Sequence, residues 1–451
     1  MKGSTIAAIA SPPGQGAIAL IRISGEMAVE ISQKIFHQKL EKLWKPRYQH
    51  YGKIISPGEG VVIDEVLLTW FPAPHSFTGE DVVEIACHGG VVVTGSILEL
   101  LLQSGADPAE PGEFSQRAFL NGKIDLTQAE AIMDLISAKT DLAMKAANQQ
   151  LEGRLGKELE SLRQQMISLI AQLEAWIDFP EDDIDTDSEN ALLDRLDKIA
   201  ARIDALLATA EQGHFLREGI RTVITGPPNA GKSSLLNLLL GFDRAIVNET
   251  AGTTRDTIEE VINISGFPVR LIDTAGIRDS SDAIEKEGIQ RSRGQIKNAE
   301  LILLVIDSSE KADSLRSIDL PTETRTLTIL NKSDLPTHPD WKNPPENSIT
   351  LSCLSDSGKP GITAAISEIL SGKKGQFNTA NIVAINARHQ HCLLSAKNEL
   401  ATARIKIANS ESPEFAAMDL RSALDDIGEI IGKTDIEEIL DEIFSTFCIG
   451  K

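Results

Sequence analysis

The octapeptide Gly226-Pro227-Pro228-Asn229-Ala230-Gly231-Lys232-Ser233 has the spacing G-x-x-x-x-G-K-S. Such a stretch turns successive backbone N–H groups toward phosphate oxygens at a helix N-terminus. Lys232 adds a cation at the β- and γ-phosphates, and the Ser233 hydroxyl suits Mg²⁺. Further stretches follow in an order that a nucleotide would require. Gly252-Thr253-Thr254-Arg255-Asp256 offers the Thr254 hydroxyl to close the magnesium shell. Asp273-Thr274-Ala275-Gly276 follows the run VRLID; its carboxylate can hold Mg²⁺ through water, and the Gly276 N–H can sense a γ-phosphate. Asn331-Lys332-Ser333-Asp334 also follows an apolar run. A carboxylate there accepts from N1–H and the exocyclic amine of guanine, a pairing that adenine cannot match. Ser352-Cys353-Leu354 stands where a guanine-contacting Ser-Ala-Lys loop is usual, and backbone contacts can serve despite the change. The set implies binding and hydrolysis of GTP with Mg²⁺.

One position departs from the common pattern. The residue after Gly276, where many GTP hydrolases carry a water-orienting glutamine, is Ile277. Isoleucine cannot hydrogen-bond water. Phosphoryl transfer still needs a placed water and positive charge on the developing phosphate oxygens, the charge that an arginine finger supplies elsewhere.

The elements that must hold these loops alternate. RTVITG (221–226) reads as a buried strand entering the glycine loop, and LILLVID (301–307) and LTILN (327–331) read as further strands of a parallel α/β sheet reaching about residue 370. Before it lies helical patterning. Thr127-Gln128-Ala129-Glu130 predicts a capping box, with a long helical stretch to Trp176, an interruption at Pro180 and the acidic run EDDIDTD, and a second stretch to about His214. Residues 1–119 mix short apolar runs with Gly and Pro: AIALIRIS (17–24), EVLLTWF (65–71) and DVVEIACHGG (81–90) predict strands, with a helix near 91–104. After 376 the chain is helical again. Ser412-Pro413 predicts an N-cap with a first-turn proline, and Thr434-Asp435-Ile436-Glu437 a second capping box. Ile436, Ile439, Leu440, Ile443, Phe444 and Phe447 then fall at helical spacing and predict a core-facing stripe. Helices on both sides of an α/β segment predict one helical domain split by an insertion.

With these motifs in place, the chain resembles the bacterial tRNA-modification GTPases called MnmE or TrmE over nearly all its length. The shared markers are RISG (22–25), FTGEDVVE (77–84), CHGG (87–90), PGEFSQRAFLNGKIDL (111–126), PNAGKSS (228–234), AGTTRD (251–256) and the terminal FCIGK (447–451). The resemblance implies a multidomain α/β plus all-α fold: an N-terminal α/β folate-binding and dimerisation domain (1–119), the first part of a helical domain (120–214), an inserted Ras-like P-loop GTPase domain (215–375), and the second helical part (376–451). It implies a homodimer that joins a FAD-containing partner, MnmG or GidA, in a heterotetramer. Together they would install an aminomethyl or carboxymethylaminomethyl group on the wobble uridine of certain tRNAs, with a one-carbon unit from a tetrahydrofolate derivative in its 5-formyl or methylene form.

The same resemblance assigns site residues. Asn229, Ala230, Gly231, Lys232, Ser233 and Ser234 would line GTP, with Asn248, Glu249, Thr250, Ala251, Gly252, Thr253 and Thr254, with Asp273, Thr274, Ala275 and Gly276, with Asn331, Lys332, Ser333 and Asp334, and with Ser352, Cys353 and Leu354. A potassium ion would supply the missing positive charge, held by Asn229, Asn248, Thr250 and Thr253; amide, hydroxyl and carbonyl oxygens suit that hard cation. Glu285, in DAIEKEG (282–288), matches the family's catalytic glutamate and would orient the water, with neighbouring Glu287 as its rival. Arg22, Glu84 and Lys123 would hold the folate, a carboxylate pairing with the pterin donor edge and cations meeting the glutamate tail; Lys451, at the end of the tail, is expected to reach the same ligand. Cys448 reads either as a nucleophile or redox thiol, or as a buried structural cysteine.

Composition bounds the rest. A chain of 451 residues is too long for one core. Lys plus Arg number 44 against 66 Asp plus Glu, a net charge of −22 that disfavours indiscriminate nucleic-acid binding. Any tRNA contact must use a local patch, for which Arg388, Lys397, Arg404 and Lys406 are candidates, or the partner. Cys87, Cys353, Cys392 and Cys448 lie far apart, without a C-x-x-C pair, which fits a reduced, cytoplasmic chain. Adjacent Cys87 and His88 are expected to be structural rather than a metal pair. No apolar run reaches about 18 residues, so no membrane span is expected. The alternative function is a switch-type GTPase binding ribosomes or assembly factors without modification chemistry; the acidic C-terminal region, without a G-x-x-G loop after residue 376, weighs against it.

Overall fold

The structure, a computed structural model, describes residues 3–38, 44–58, 60–178, 189–241, 260–272, 295–312, 320–321, 324–355, 358–371, 383–434, 440 and 443–451. The chain forms two compact units. One comprises Met1–Met133, Leu155–Glu189 and Asn398–Lys451; the other comprises Asp134–Arg154 and Asn190–Lys397.

The first unit carries a seven-stranded sheet of β1 (Ile6–Ile9), β2 (Gly16–Ser24), β3 (Phe36–His37), β4 (Gln49–Ile55), β5 (Val62–Phe71), β6 (Val82–Gly89) and β7 (Asp107–Pro108), in the order β3-β4-β5-β6-β2-β1-β7. Alternation along β2 sends Ile21 and Ile23 inward, fully buried against α1 (Ala28–Ile35) and α2 (Val91–Gln103). The three strands and the helix near 91–104 match the sequence reading; α1 and a further helix, α3 (Glu113–Leu120), were not expected. Both are eight residues long, too short for two full repeats of an apolar stripe.

The helical stretch expected from Thr127 to Trp176 is instead three helices, α4 (Leu126–Ser137), α5 (Asp141–Leu151) and α6 (Arg154–Asp178). Thr140 caps α5 by accepting from the Ala143 N–H at 3.3 Å, and Gly153, at φ +76°, follows its end. The capping box also sits two residues upstream of its expected place. Asp125 Oδ1 accepts from the Gln128 N–H at 2.9 Å, while Gln128 Oε1 accepts from the Asp125 N–H at 3.0 Å. Thr127 lies within α4 and donates its hydroxyl to Asp125 at 2.6 Å. A carboxylate outcompetes a hydroxyl for the free N–H groups of a helix start, because it accepts only and carries charge.

In the second unit α7 (Glu189–Leu207) and α8 (Ala210–Glu218) precede a six-stranded sheet. Its strands are β8 (Ile220–Thr225), β9 (Glu260–Ile264), β10 (Phe267–Leu271), β11 (Leu301–Asp307), β12 (Arg325–Asn331) and β13 (Ser348–Thr350), in the order β13-β12-β11-β8-β10-β9. All pairs are parallel except the β9–β10 hairpin. Every residue of β11 is buried, as a central parallel strand covered on both faces requires. Two helices, α9 (Lys232–Leu240) and α10 (Lys359–Ser371), pack on this sheet, Leu235 and Leu239 joining Ile362 and Ile366 in its core.

The chain ends with α11 (Ala387–Ala408) and α12 (Pro413–Ile431). Pro413 opens α12 as expected, although Ser412 makes no side-chain capping bond. Leu440, Phe444 and Phe447 are buried against Leu126 and Ala129, so the described part of the terminal stripe faces a core. Asp435, Ile436, Glu437 and Ile439 lie outside the described residues.

Candidate functional site

The strand β8 delivers the chain into the loop 226–231, and α9 begins at Lys232. Two residues there take left-handed backbone, Asn229 at φ +60° and Gly231 at φ +100°. A methyl group on Gly231 would lie 2.1 Å from Asn331 Nδ2, so both backbone and space demand glycine. The Lys232 ammonium folds over the loop and donates to the carbonyls of Gly226 at 3.0 Å and Pro227 at 2.8 Å. Asn229 and Ser233 are exposed, Ser234 is half-buried and Ala230 is buried.

Asn331 ends β12 and points back into this loop. Its Nδ2 donates to the Ala230 carbonyl at 2.8 Å, and its Oδ1 accepts from the Cys353 N–H at 3.0 Å. One buried amide therefore joins the phosphate loop, the Asn331-Lys332-Ser333-Asp334 turn and the Ser352-Cys353-Leu354 loop. The Cys353 N–H is engaged by Asn331, so its backbone is tied to the turn rather than left free. Its thiol is buried and pushed up to about 11 by that burial, so it is neutral near pH 7. Leu354 is largely exposed and Ser352 half-buried. Ser333 N–H donates to the Leu351 carbonyl at 3.2 Å, and Asp334 emerges at the surface.

Asp307 belongs to this site and was missed in the sequence. It ends β11 beside Asn331 in the parallel register, and its Oδ2 lies 2.5 Å from Lys332 Nζ. Burial opposes its ionisation, but hydrogen bonds from Lys332 and Ser309 outweigh that and hold its carboxyl below the ordinary carboxylate range. The available signal was a carboxylate closing the wholly apolar run LILLVI.

Asn248, Glu249, Thr250, Ala251, Gly252, Thr253, Thr254, Asp273, Thr274, Ala275, Gly276 and Glu285 lie outside the described residues.

The second group of expected site residues gathers in the first unit. Arg22 and Glu84 are register partners on β2 and β6. Arg22 Nη2 and Nε both donate to Glu84 Oε1, at 2.7 and 3.0 Å. Its guanidinium sits 5.6 Å from the Phe77 ring centroid and 5.7 Å from that of Phe114. Arg22 Nη1 also donates to the Gly450 carbonyl at 3.4 Å, which brings the last residues of the chain to the same place. That tail is held by a bridge between Pro111 and Ile449 and by Gly450, whose added methyl would lie 2.7 Å from the Ile9 carbonyl. Lys451 is half-buried and Cys448 is an exposed free thiol, which removes the buried alternative for it. Lys123 donates to the Pro74 carbonyl at 2.9 Å, across the loop that carries Phe77. The aromatic pair and the Gly450 carbonyl were not foreseen, because the sequence does not show which rings face a given strand.

Cys87 is buried and its Sγ donates to the Ala19 carbonyl, whereas His88 is exposed and held by Asp64 at 2.7 Å. Alternation along β6 puts them on opposite faces, which supports structural roles. The basic candidates on α11 are partly neutralised: Lys397 pairs with Asp204 at 2.6 Å and Lys406 with Asp419 at 2.7 Å. Among the described residues no helix is long and apolar enough to cross a membrane.

Comparison with known proteins covers nearly the whole chain. A family model for the MnmE helical domain matches residues 126–448, and one for the GTP-binding protein TrmE N-terminus matches residues 5–123. The tRNA modification GTPase MnmE of Akkermansia muciniphila is 50% identical over 450 residues, 99% of this chain and 99% of the relative. Its namesake in Natranaerobius thermophilus is 44% identical over 460 residues, all of both chains, and that of Enterococcus faecalis 44% over 461 residues, 100% of this chain and 99% of the relative. With the glycine loop, the Asn331–Asp334 turn and the Arg22–Glu84 pair in place, and with matches at this level from end to end, the chain belongs to the MnmE family of tRNA modification GTPases.

Proposed function

We propose that this chain binds and hydrolyses GTP and takes part in tRNA uridine modification. The observation that carries the reading is Asn331, which fastens the phosphate loop and the Cys353 backbone to the turn bearing Asp334. A carboxylate presented from that turn selects guanine, and the junction fixes the turn against the loop that would hold the phosphates.

Three bound groups complete the proposal. Ser233 stands exposed in the first turn of α9, beside Lys232, where a hydroxyl fits Mg²⁺. Asn229, exposed and turned out by its left-handed backbone, offers an amide oxygen suited to potassium. The cation supplies charge that the Ile277 position cannot, and Glu285 orients the water. At the other site both Arg22 contacts fall on Glu84 Oε1, so Oε2 keeps acceptor capacity for the donor edge of a pterin. Phe77 offers a ring face, and Lys123 and Lys451 offer charge for the glutamate tail of a tetrahydrofolate derivative. The proposal includes a homodimer working with an FAD-containing partner of the MnmG type on the wobble uridine, and the domain division 1–119, 120–214, 215–375 and 376–451.

Two measurements test this. GTP turnover by the full chain is expected to be faster in potassium than in sodium buffer; equal rates remove the cation from the proposal. Mass spectrometry of tRNA from cells lacking the chain is expected to show unmodified wobble uridine; intact modification removes the tRNA role.

A further inference from the structure

Lys332 carries a left-handed backbone, φ +63°, which a side chain other than glycine adopts at a cost. The reversal has a visible consequence. Asn331, just before it, is 3% exposed and points into the phosphate loop, whereas Asp334, just after, is exposed. The turn at Lys332 thus decides in which direction the guanine-selecting carboxylate is offered.

What holds the turn is Asp307. Its Oδ2 pairs with Lys332 Nζ at 2.5 Å, and its Oδ1 accepts from the Ser309 N–H at 2.9 Å and the Ser309 hydroxyl at 2.6 Å. Oδ1 is held by Ser309 and Asp307 is 6% exposed, so the carboxylate has an anchor besides the lysine. The backbone is stitched alongside: Ser308 N–H donates to the Asn331 carbonyl at 2.9 Å, and His338 N–H to the Ser308 carbonyl at 2.8 Å. A buried carboxylate at the end of β11 is not needed to build the sheet, since the six residues before it in that strand are aliphatic.

We infer that Asp307 is a specificity-determining positioning residue for the guanine base, acting through Lys332 to set the direction of Asp334. The inference rests on the guanine-nucleotide reading of the site. It adds a residue outside the recognised motifs and a route by which that residue acts.

Calorimetric titration of the full chain with GDP and with IDP, which lacks the exocyclic 2-amine, tests it. Asp307→Asn keeps the shape and removes the charge. Asp307→Asn is expected to weaken GDP about tenfold and to narrow the GDP-to-IDP affinity ratio, since a misaimed carboxylate loses the contact to the 2-amine. A merely structural role would weaken both ligands equally. Lys332→Gln is expected to narrow the ratio to the same degree, and the double variant to be no worse than either single one. Should Asp307→Asn fail to fold, Lys332→Gln alone decides by its ratio. An unchanged ratio, or additive losses in the double variant, overturns the inference while leaving the guanine reading intact. Failure of the unsubstituted chain to bind GDP overturns both.

Discussion

The Asn331 side chain donates to the backbone carbonyl of Ala230 at 2.8 Å, across 101 residues of sequence. Its other end accepts from the Cys353 N–H. Asn331→Ala leaves the buried Ala230 carbonyl and Cys353 N–H unsatisfied, each at about 1–3 kcal/mol. The variant is expected to lose about 2–6 kcal/mol of stability in urea unfolding and at least about 100-fold in GDP affinity. Wild-type GDP affinity in a folded variant would show that the amide does not organise the site.

Glu285→Ala is expected to bind GTP as the unsubstituted chain does and to lose most of its turnover. Single-turnover hydrolysis beside equilibrium binding separates the two. If turnover survives, the same assay on Glu287→Ala identifies the water-orienting carboxylate.

At the other site, Glu84→Gln keeps the shape of the Arg22 partner and removes its charge. A charge-assisted hydrogen bond contributes roughly twice a neutral one, so affinity for 5-formyltetrahydrofolate is expected to fall at least about tenfold. Fluorescence titration reads it, and undiminished affinity would separate the Arg22–Glu84 pair from folate.

Gly450→Ala tests the tail. Gly450 sits at φ +94°, and an added methyl would meet the Ile9 carbonyl and Ala10 backbone. The last residues are expected to leave their seat, which faster amide exchange at Ile449 reports, with folate affinity reduced and GDP affinity unchanged. Retained folate affinity with a released tail would exclude Lys451 from that site.

The thiols divide by burial. Cys87 and Cys353 are each pushed up to about 11 from the ordinary 9.0, burial being the main cause. Cys392 is buried as well, and Cys448 alone of the four is exposed. One thiol per chain is expected to react promptly with a disulfide reagent, the other three only on unfolding. A folded pKa above the unfolded value favours the folded state below pH 9, and that advantage is lost as pH rises through about 11. Thermal melting is expected to fall across this window, and Cys353→Ala to blunt the fall. A melting temperature flat to pH 11 would contradict the assignment.

Motifs set by local geometry were legible in the amino-acid sequence. The glycine loop, the three strands β8, β11 and β12 and the proline opening α12 depend on spacing within a few residues, and the chain shows that spacing directly. Arg22 and Glu84 were singled out through the resemblance of long peptide runs, and the structure shows them as register partners on β2 and β6. The capping box was misplaced because the sequence offers Asp125 and Thr127 as rivals, and only the formed helix start reveals which oxygen meets the free N–H groups. The long helix was overextended because an apolar stripe runs on through Thr140 and Gly153, whose capping and left-handed backbone interrupt it.

The sequence by itself determined the G-x-x-x-x-G-K-S loop, the Asn331-Lys332-Ser333-Asp334 turn and the terminal FCIGK run, since each is a property of adjacent residues. Only the tertiary structure decided that Asn331 closes on Ala230, that Asp307 grips Lys332, and that the tail reaches Arg22. Those contacts join segments far apart in the chain: parallel pairing of β8, β11 and β12 brings the first two together, and an antiparallel bridge between Pro111 and Ile449 holds the tail for the third.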